Sequence, residues 1–456
     1  MTTTPPARPV PEALAGLPGF TRDPAELERV RTDRSGYVPP TRPAGLVQAR
    51  TVEDVVRTLR AAHEHRVPVV PRGAGTGLAA GASAREGEIV LDLHRMNRIL
   101  RIDPVEQIAV VEPGVLNADL NAAAAEHGLF YAPDPASTSI CSVGGNIATN
   151  AGGMRCAKYG VTREAVLALT VVLADGRVLT TGAGTVKAVT GYDLKALFIG
   201  SEGTLGVVVE AVLRLRPAPV ATATVAAWFR DVGSAAAAAS AVIAARATPS
   251  VLELVDGPTL GAIDLATGSA HRSRGEAFLL AQTDGFGAEL ERDVVLRAIE
   301  PFAESVLVAD DPAEAEALVQ ARRSAIPSLE ALGRVSIGDV GVPRHRLAEM
   351  VTGLRRIAEE TGVEICTVAH AADGNLHPMI VVGRDEPITE GPPKLALGRM
   401  FELARSLGGT LTGEHGVGLL KQDWFTDEVG ELSREVQHRI KQALDPHGIL
   451  NPGKAV

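Results

Sequence analysis

Three glycine-rich stretches in the first half of the chain constrain its fold more than any other feature. They are Arg72-Gly73-Ala74-Gly75-Thr76-Gly77, the run from Ser142 through Gly144 and Gly145 to Gly152 and Gly153, and the run from Gly191 to Val208 that holds Gly200, Gly203 and Gly206. Glycine admits φ > 0 and lets successive backbone N–H groups converge on an anion. A tight turn needs one such loop, not three so far apart. A long ligand laid across several loop ends needs them all. Ser142, Asn146, Thr149 and Asn150 supply donors and acceptors suited to a pyrophosphate, a ribityl chain or a ring edge.

At 456 residues the chain exceeds one ordinary core, so several domains are expected. Residues 25–32, 51–67 and 116–128 read as helices. In the second of these Thr51 and Asp54 form a capping box, and Val52, Val55, Val56 and Leu59 share one face. A short strand runs into the first glycine turn within 67–82, and 88–93, 107–115, 167–181 and 204–217 read as strands. This alternation is too loose for a strict βαβ repeat and predicts an α+β fold with two small sheets. The prolines at 217 and 219 mark a boundary. Beyond them come strands at 222–229, 250–256 and 276–285 and helices at 232–247 and 286–300, then a further helix at 429–444. The expected division is an N-terminal extension at 1–37, a first domain at 38–217, a second α+β domain at 218–410 and a closing segment at 411–456.

The net charge of −10 argues against a broad nucleic-acid surface. The cysteines Cys141, Cys156 and Cys366 have no CxxC pairing, which excludes a disulfide framework and a cysteine-ligated iron–sulfur cluster within the chain. Residues 1–12 read as a frayed, Pro-rich end without the basic and apolar regions of a signal peptide, and no apolar run reaches membrane-spanning length. A cytoplasmic location is expected, peripheral to the inner face of a membrane if an acceptor lies there.

Two nucleotide motifs are mimicked. Gly75-x-Gly77-x-x-Ala80 follows a strand and precedes Asp92, as a dinucleotide fingerprint would, but residues 78–88 form no amphipathic helix. Residues 448–454 imitate a phosphate-binding P-loop, yet Ala455 stands where Ser or Thr is required and no helix follows.

Taken in order, "PRGAGTG" at 71–77, "APDPAS" at 132–137, "GGNIATNAGG" at 144–153 and "GSEGTLGVV" at 200–208 resemble the FAD-binding fold of the vanillyl-alcohol oxidase type. Within it they are most similar to the glycolate oxidase and D-lactate dehydrogenase branch of FAD-linked oxidases, the D-2-hydroxyacid dehydrogenases, over about residues 38–453. The resemblance implies a two-subdomain FAD-binding fold, an α+β cap and a C-terminal segment that returns to the FAD domain. It implies that Pro71, Arg72, Gly73, Ala74, Gly75, Thr76, Gly77 and Leu78 hold the pyrophosphate. Pro133, Asp134, Ser137, Ser139, Gly144, Gly145, Asn146, Ala148, Thr149, Asn150 and Gly152 would flank the pyrophosphate and isoalloxazine. Glu202, Gly203, Thr204, Gly206 and Val207 would contact the adenosine end, and Asn451 the flavin. Relatives that tether FAD often use a histidine beside the phosphate loop. Residues 71–78 contain none, so dissociable FAD is expected.

"HAADGNLH" at 370–377 puts two imidazoles around an Asp-Gly turn. A lone histidine is more often a structural hydrogen-bonder than a ligand, but "EICTVAH" and "LHPMI" read as the strands of a hairpin, which would bring His370 and His377 face to face at its open end. Two imidazoles invite a divalent metal when a third ligand is near, and Glu414 in the glycine-flanked "GEHG" is the best supplier. The resemblance implies that His370, His377 and Glu414 bind Zn²⁺, Mn²⁺ or Fe²⁺ and that His415 is the base. Imidazole and carboxylate do not choose among these metals. A reading in which both histidines only hydrogen-bond substrate stays open. Arg322 and Arg323 could clamp a carboxylate or form a solvated pair, and the resemblance favours Arg322 as anchor. Ile337 stands where dicarboxylate-oxidising relatives carry a lysine, which favours a monoacid.

The activity so implied is FAD-dependent oxidation of a D-2-hydroxy acid of the glycolate or D-lactate kind to the 2-oxo acid. Hydride would pass to flavin N5 and electrons to a separate acceptor: a quinone, a cytochrome, an electron-transfer flavoprotein or an iron–sulfur partner subunit. A homodimer is compatible with this reading. The alternatives are a non-catalytic flavin-binding subunit and a flavoenzyme of the ether-lipid synthase kind.

Overall fold

The helix Val52–His65 shows how locally the first domain is specified. Thr51 Oγ1 accepts from Asp54 N at 3.2 Å while Asp54 Oδ2 accepts from Thr51 N at 3.0 Å, closing the expected capping box. Val55, Val56, Thr58, Leu59 and Ala62 form the buried stripe. Val52, expected on that face, is exposed because it sits at the first helical position, before the stripe turns inward. The architecture is that of a computed structural model, which describes residues 10–388 and 390–456. Of the frayed end expected at 1–12, residues 1–9 lie outside the described residues, and Glu12–Ala15 forms a helical turn.

The first domain contains the two small sheets expected. One has four strands, with Gly45–Gln48, Ile89–Asp92 and Val69–Arg72 parallel and Phe20–Thr21 antiparallel at the edge. The other has five antiparallel strands in the order Ile99–Asp103, Ile108–Val111, Val207–Arg214, Val166–Val172, Val178–Gly182. The stretch 167–181 thus divides into two paired strands about Asp175-Gly176, where Gly176 has φ +80°. The helix Val52–His65 packs between the sheets, sharing a core with Val172, Val207 and Val209.

The second domain is one eight-stranded antiparallel sheet. Its path runs Ser305–Val308, Thr222–Phe229, Ala277–Asp284, Val251–Asp256, Glu364–His370, Asn375–Val382, Arg334–Ile337, with Val340–Gly341 also paired to 375–382. Strand alternation divides its side chains between two cores. Ala227, Phe229, Leu252 and Leu254 face a layer that includes the alanine-rich helix Val232–Ala244 and the helices Leu347–Thr361 and Gly391–Ser406. Trp228, Val251, Val255 and Val368 face Gly257–Thr267, Pro312–Arg323 and Ala325–Leu332. That second face is the one turned toward the functional site.

The chain then returns to the first domain. After the helices Gln422–Val429 and Glu431–Leu444, Leu450 makes a parallel bridge to Val69, and Asn451 N donates to Val69 O at 2.8 Å. The last residues therefore extend the parallel sheet at the strand that leads into the first glycine loop.

Candidate active site

The three glycine loops meet because their backbones are stitched together. Ser142 Oγ accepts from Ala74 N at 3.2 Å and from Gly145 N at 3.3 Å, joining the first loop to the second. Ile147 and Ala148 carbonyls accept from Gly200 N and Glu202 N, at 2.9 and 2.8 Å, joining the second to the third. Gly75 has φ +73°, and a Cβ there would run into the Arg72 guanidinium folded beneath it. Between these loops and the inner face of the eight-stranded sheet lies a cavity of about 660 Å³. That is within the range of a site that envelops a small organic ligand.

All of residues 71–78 line this cavity, as do Asp134, Ser137, Ser139, Gly144, Gly145, Asn146, Ala148, Thr149, Gly152, Glu202, Gly203, Gly206 and Val207. Four expected contacts stand behind the wall instead. The Pro133 carbonyl accepts from Asn117 Nδ2, Asn150 Oδ1 accepts from Arg163 N, and Thr204 Oγ1 donates to Ser201 O. Asn451 Nδ2 donates to Gly81 O and Glu202 O, so it ties two loops together. Glu202 reaches the wall, but its carboxylate accepts from Val417 N at 2.8 Å and Gly418 N at 2.9 Å and so holds the GEHG loop.

The opposite end of the cavity is charged. His370 and His377 lie on adjacent strands, but the register corrects the expected geometry. His370 opposes Asn375 and His377 opposes Val368, so the imidazoles are diagonal neighbours beside the turn, not partners at the open end. The physical reason is the length of the turn. It occupies only Ala371–Gly374, with Gly374 at φ +80°, which brings Asn375 into the ladder. The ring centroids are 5.1 Å apart. Glu414 Oε1 lies 3.0 Å from His377 Nε2, 3.4 Å from His370 Nε2 and 3.9 Å from His415 Nε2. The His415 ring stacks on His377 at 4.8 Å.

Two buried carboxylates that sequence reasoning passed over complete the array. Glu253 lies opposite His370 in the sheet. Its Oε1 contacts His370 Nδ1 at 2.7 Å and its Oε2 lies 2.7 Å from Arg322 Nη2. The second contact is an ion pair by distance, although its angle falls outside that of a hydrogen bond. Asp339 Oδ2 accepts from Thr412 Oγ1, Glu414 N and His415 N at 2.6, 3.1 and 2.9 Å, with Lys421 Nζ at 3.3 Å. The groups thus form a continuous line from Arg322 through Glu253, His370, Glu414 and His377 to Asp339 and Lys421. Cation-forming and anionic groups alternate along it.

The ionisation follows from this line. Burial resists protonation of His370, but Glu253 and Glu414 outweigh it and raise its pKa well above the ordinary value. Burial likewise opposes ionisation of Glu414, yet His370 and His377 hold its carboxyl below the usual range. Asp339 is held well below its range by Lys421, His415 and His377 against the cost of burial. His415 differs: burial, with His377 and Lys421 nearby, pushes its imidazole down to about 4 despite Asp339 and Glu414. It is neutral at pH 7.

The residues present fit a metal. His370, His377 and Glu414 each offer one ligand atom, and these atoms lie within 4.8 Å of one another. Glu253 fixes His370 through Nδ1 and leaves Nε2 facing Glu414, as carboxylate–histidine–metal pairs require. In the second such group, of Asp339, His377 and His415, the Lys421 ammonium pairs with Asp339 Oδ2, while Asp339 Oδ1 makes no hydrogen bond.

The sequence matches a family described as "FAD linked oxidases, C-terminal domain" over residues 218–455 and one described as "FAD binding domain" over 43–182. It is 42% identical over 418 residues to the glycolate oxidase subunit GlcD of Bacillus subtilis (strain 168), covering 90% of this chain and 88% of that one. The chain belongs to the FAD-linked oxidases. The oxidase is also 35% identical over 414 residues to a D-lactate dehydrogenase of Archaeoglobus fulgidus, covering 90% of this chain and 91% of the relative. Its fold matches p-cresol methylhydroxylase with a TM-score of 0.78 at 18% identity, over 96% and 93% of the two chains. It also matches alkyldihydroxyacetonephosphate synthase with a TM-score of 0.72 at 18% identity, over 95% and 82%. These place the oxidase in the vanillyl-alcohol oxidase-like fold, as the glycine motifs implied. The cradle between its glycine loops, packed so closely that a Cβ at Gly73 would strike Ser142 Oγ and one at Gly75 the Arg72 guanidinium, suits the phosphates of FAD.

The oxidase carries a signal that could have found Glu253. The strand reads Val251-Leu252-Glu253-Leu254-Val255, an acid where five aliphatic residues would make a plain core strand. Arg323, the other arginine considered, pairs with Glu316 near the surface, whereas Arg322 is buried.

Proposed function

We propose that the chain oxidises a D-2-hydroxy acid of the glycolate or D-lactate type to the corresponding 2-oxo acid. The observation that carries this reading is the junction of a glycine-lined cradle with the Arg322–Glu253–His370–Glu414–His377 line in one cavity. FAD bound there supplies the two-electron acceptor. A divalent cation held by His370, His377 and Glu414 would supply Lewis acidity toward the substrate alcohol.

The protein's own groups divide the remaining work. Arg322 lines the cavity and its buried Nε has no protein partner, so it is available to a substrate carboxylate. Neutral His415 can receive the hydroxyl proton at Nε2. Asp339 orients His415 by accepting from its backbone N–H, and Glu202 grips the same loop two residues later. The apolar side chains of Met154, Ile326, Ile337 and Val368 line the wall and favour a short side chain without a second carboxylate. Among the described residues no helix is long and apolar enough to cross a membrane. Electrons are then passed to a separate acceptor protein or a diffusible carrier.

The test is a visible spectrum under anaerobic conditions. The yellow protein should bleach on adding glycolate or D-lactate and stay yellow with L-lactate. A fully flavinylated protein that no D-2-hydroxy acid bleaches would overturn the reading.

A further inference from the structure

Glu253 does not line the cavity, yet it touches two residues that do. We propose that Glu253 is a positioning residue that sets the separation of the His370 imidazole and the Arg322 guanidinium. The site is thereby tuned to acids whose hydroxyl is on the carbon next to the carboxylate, and against those with the hydroxyl one carbon further on. The inference rests on the function proposed above and adds to it the origin of its selectivity.

Three observations carry it. First, the position is rigid. Glu253 lies on the strand Val251–Asp256, paired on one side with Ala277–Asp284 and on the other with Glu364–His370, and it faces His370 directly in register. Its backbone is pinned by ladders on both edges, and its side chain is fully buried. Secondly, the two carboxylate oxygens face different partners at 2.7 Å, His370 Nδ1 through a hydrogen bond on one and Arg322 Nη2 through an ion pair on the other. The carboxylate is planar and inflexible, so two groups docked on its two oxygens keep a constant spacing. Thirdly, folding alone does not account for the residue. Val251, Val255, Leu280, Val368, Cys366 and Met379 surround this face with apolar atoms. A buried ion pair in such surroundings usually stabilises no better than aliphatic side chains of similar volume.

The consequence is geometric. Arg322 would take the substrate carboxylate, and the His370 side of the cluster lies where the alcohol would bind. Both are referred to the same carboxylate, so the distance between acid and alcohol groups is a property of Glu253. A 2-hydroxy acid and a 3-hydroxy acid of matched chain length differ in that distance.

Two variants separate position from charge. Glu253→Gln keeps the length and one acceptor but loses the charge, and Glu253→Asp keeps the charge but withdraws it by one methylene. Both are measured for flavin content, bound metal after dialysis, and kcat/KM with D-2-hydroxybutyrate against 3-hydroxybutyrate. Glu253→Asp should retain flavin, lose at least about tenfold of the preference for the 2-hydroxy acid, and show the loss mainly in KM. Glu253→Gln should lower bound metal and also raise KM. Wild-type preference and KM in folded, flavin-loaded Glu253→Asp would overturn the proposal. If neither variant folds, the wild type decides by perturbation of the oxidised flavin spectrum. 2-Oxobutyrate should bind at least about tenfold more tightly than 3-oxobutyrate, and equal affinities would overturn the inference. Failure of every D-2-hydroxy acid to reduce wild-type flavin would instead remove the function on which it rests.

Discussion

The cavity has two walls that recognise by different means. The wall from residues 71–78, 134–152 and 202–208 presents mostly backbone and small side chains, while the wall from Arg322, His370, His377, Glu414 and His415 presents charged or ionisable groups. The first distinguishes ligands by how closely a chain of atoms can approach its amides. The second distinguishes them by charge and by where a proton resides. The backbone wall should therefore suffer from an added Cβ and the charged wall from an altered charge, with little exchange of symptoms.

The largest effect is expected at the charged wall. Glu414→Ala removes the only carboxylate among the described residues within reach of both His370 Nε2 and His377 Nε2, so bound metal should disappear on dialysis. The rate of flavin reduction should fall by roughly 10³-fold or more while FAD stays bound. Loss of FAD in parallel would show that the two walls are not separable.

His415→Ala comes next. Flavin and metal should both remain, and reduction should slow by roughly 10²–10³-fold, the usual share of a general base. Reduction at the wild-type rate would remove His415 from the chemistry.

At the backbone wall, Gly75→Val meets the Arg72 guanidinium in a left-handed conformation that valine resists. Flavin content should drop by about tenfold with bound metal unchanged. A fully yellow variant would mean that the first loop does not cradle the cofactor.

The smallest effect lies away from both walls, in stability and not in turnover. Burial pushes the Lys454 ammonium, which donates to Ser83 O, down from 10.5 to about 8. Between these values the unfolded chain keeps a proton that the folded chain has released, so stability rises with pH. Relative to Lys454→Met, the wild type should gain roughly 2–3 kcal/mol in denaturant unfolding as pH is raised from 8 to 10.5. No difference in slope would mean that the lysine is solvated.

Much of this was legible before any coordinates. The capping box at Thr51 and Asp54, the alanine-rich helix after Asp231 and the strand leading into Gly73 are local signals, and each formed where its residues indicated. The helix Gly391–Ser406 was not read as one. It opens with Gly-Pro-Pro, residues more common in turns, and it is held by the tertiary core around Met400 and Phe401. The same distinction runs through the site. His370, His377 and Glu414 stood out because imidazoles and a carboxylate flanked by glycines carry chemistry in their identities. Asn451 and Glu202 also stood out, but their identities did not show that the Asn451 amide nitrogen and the Glu202 carboxylate bind neighbouring loops.

By itself, then, the amino-acid order determined which loops could bring amides close to a phosphate and which side chains could ligate or take a proton. Those properties belong to single residues and short spacings. Tertiary structure alone decided that Glu253, 117 residues before His370, would lie opposite it. It likewise set Asp339 beneath a loop 75 residues later in the chain. Both partnerships depend on strand register and on the return of the C-terminal segment, and no short-range pattern encodes the pairing of strands so distant in the chain.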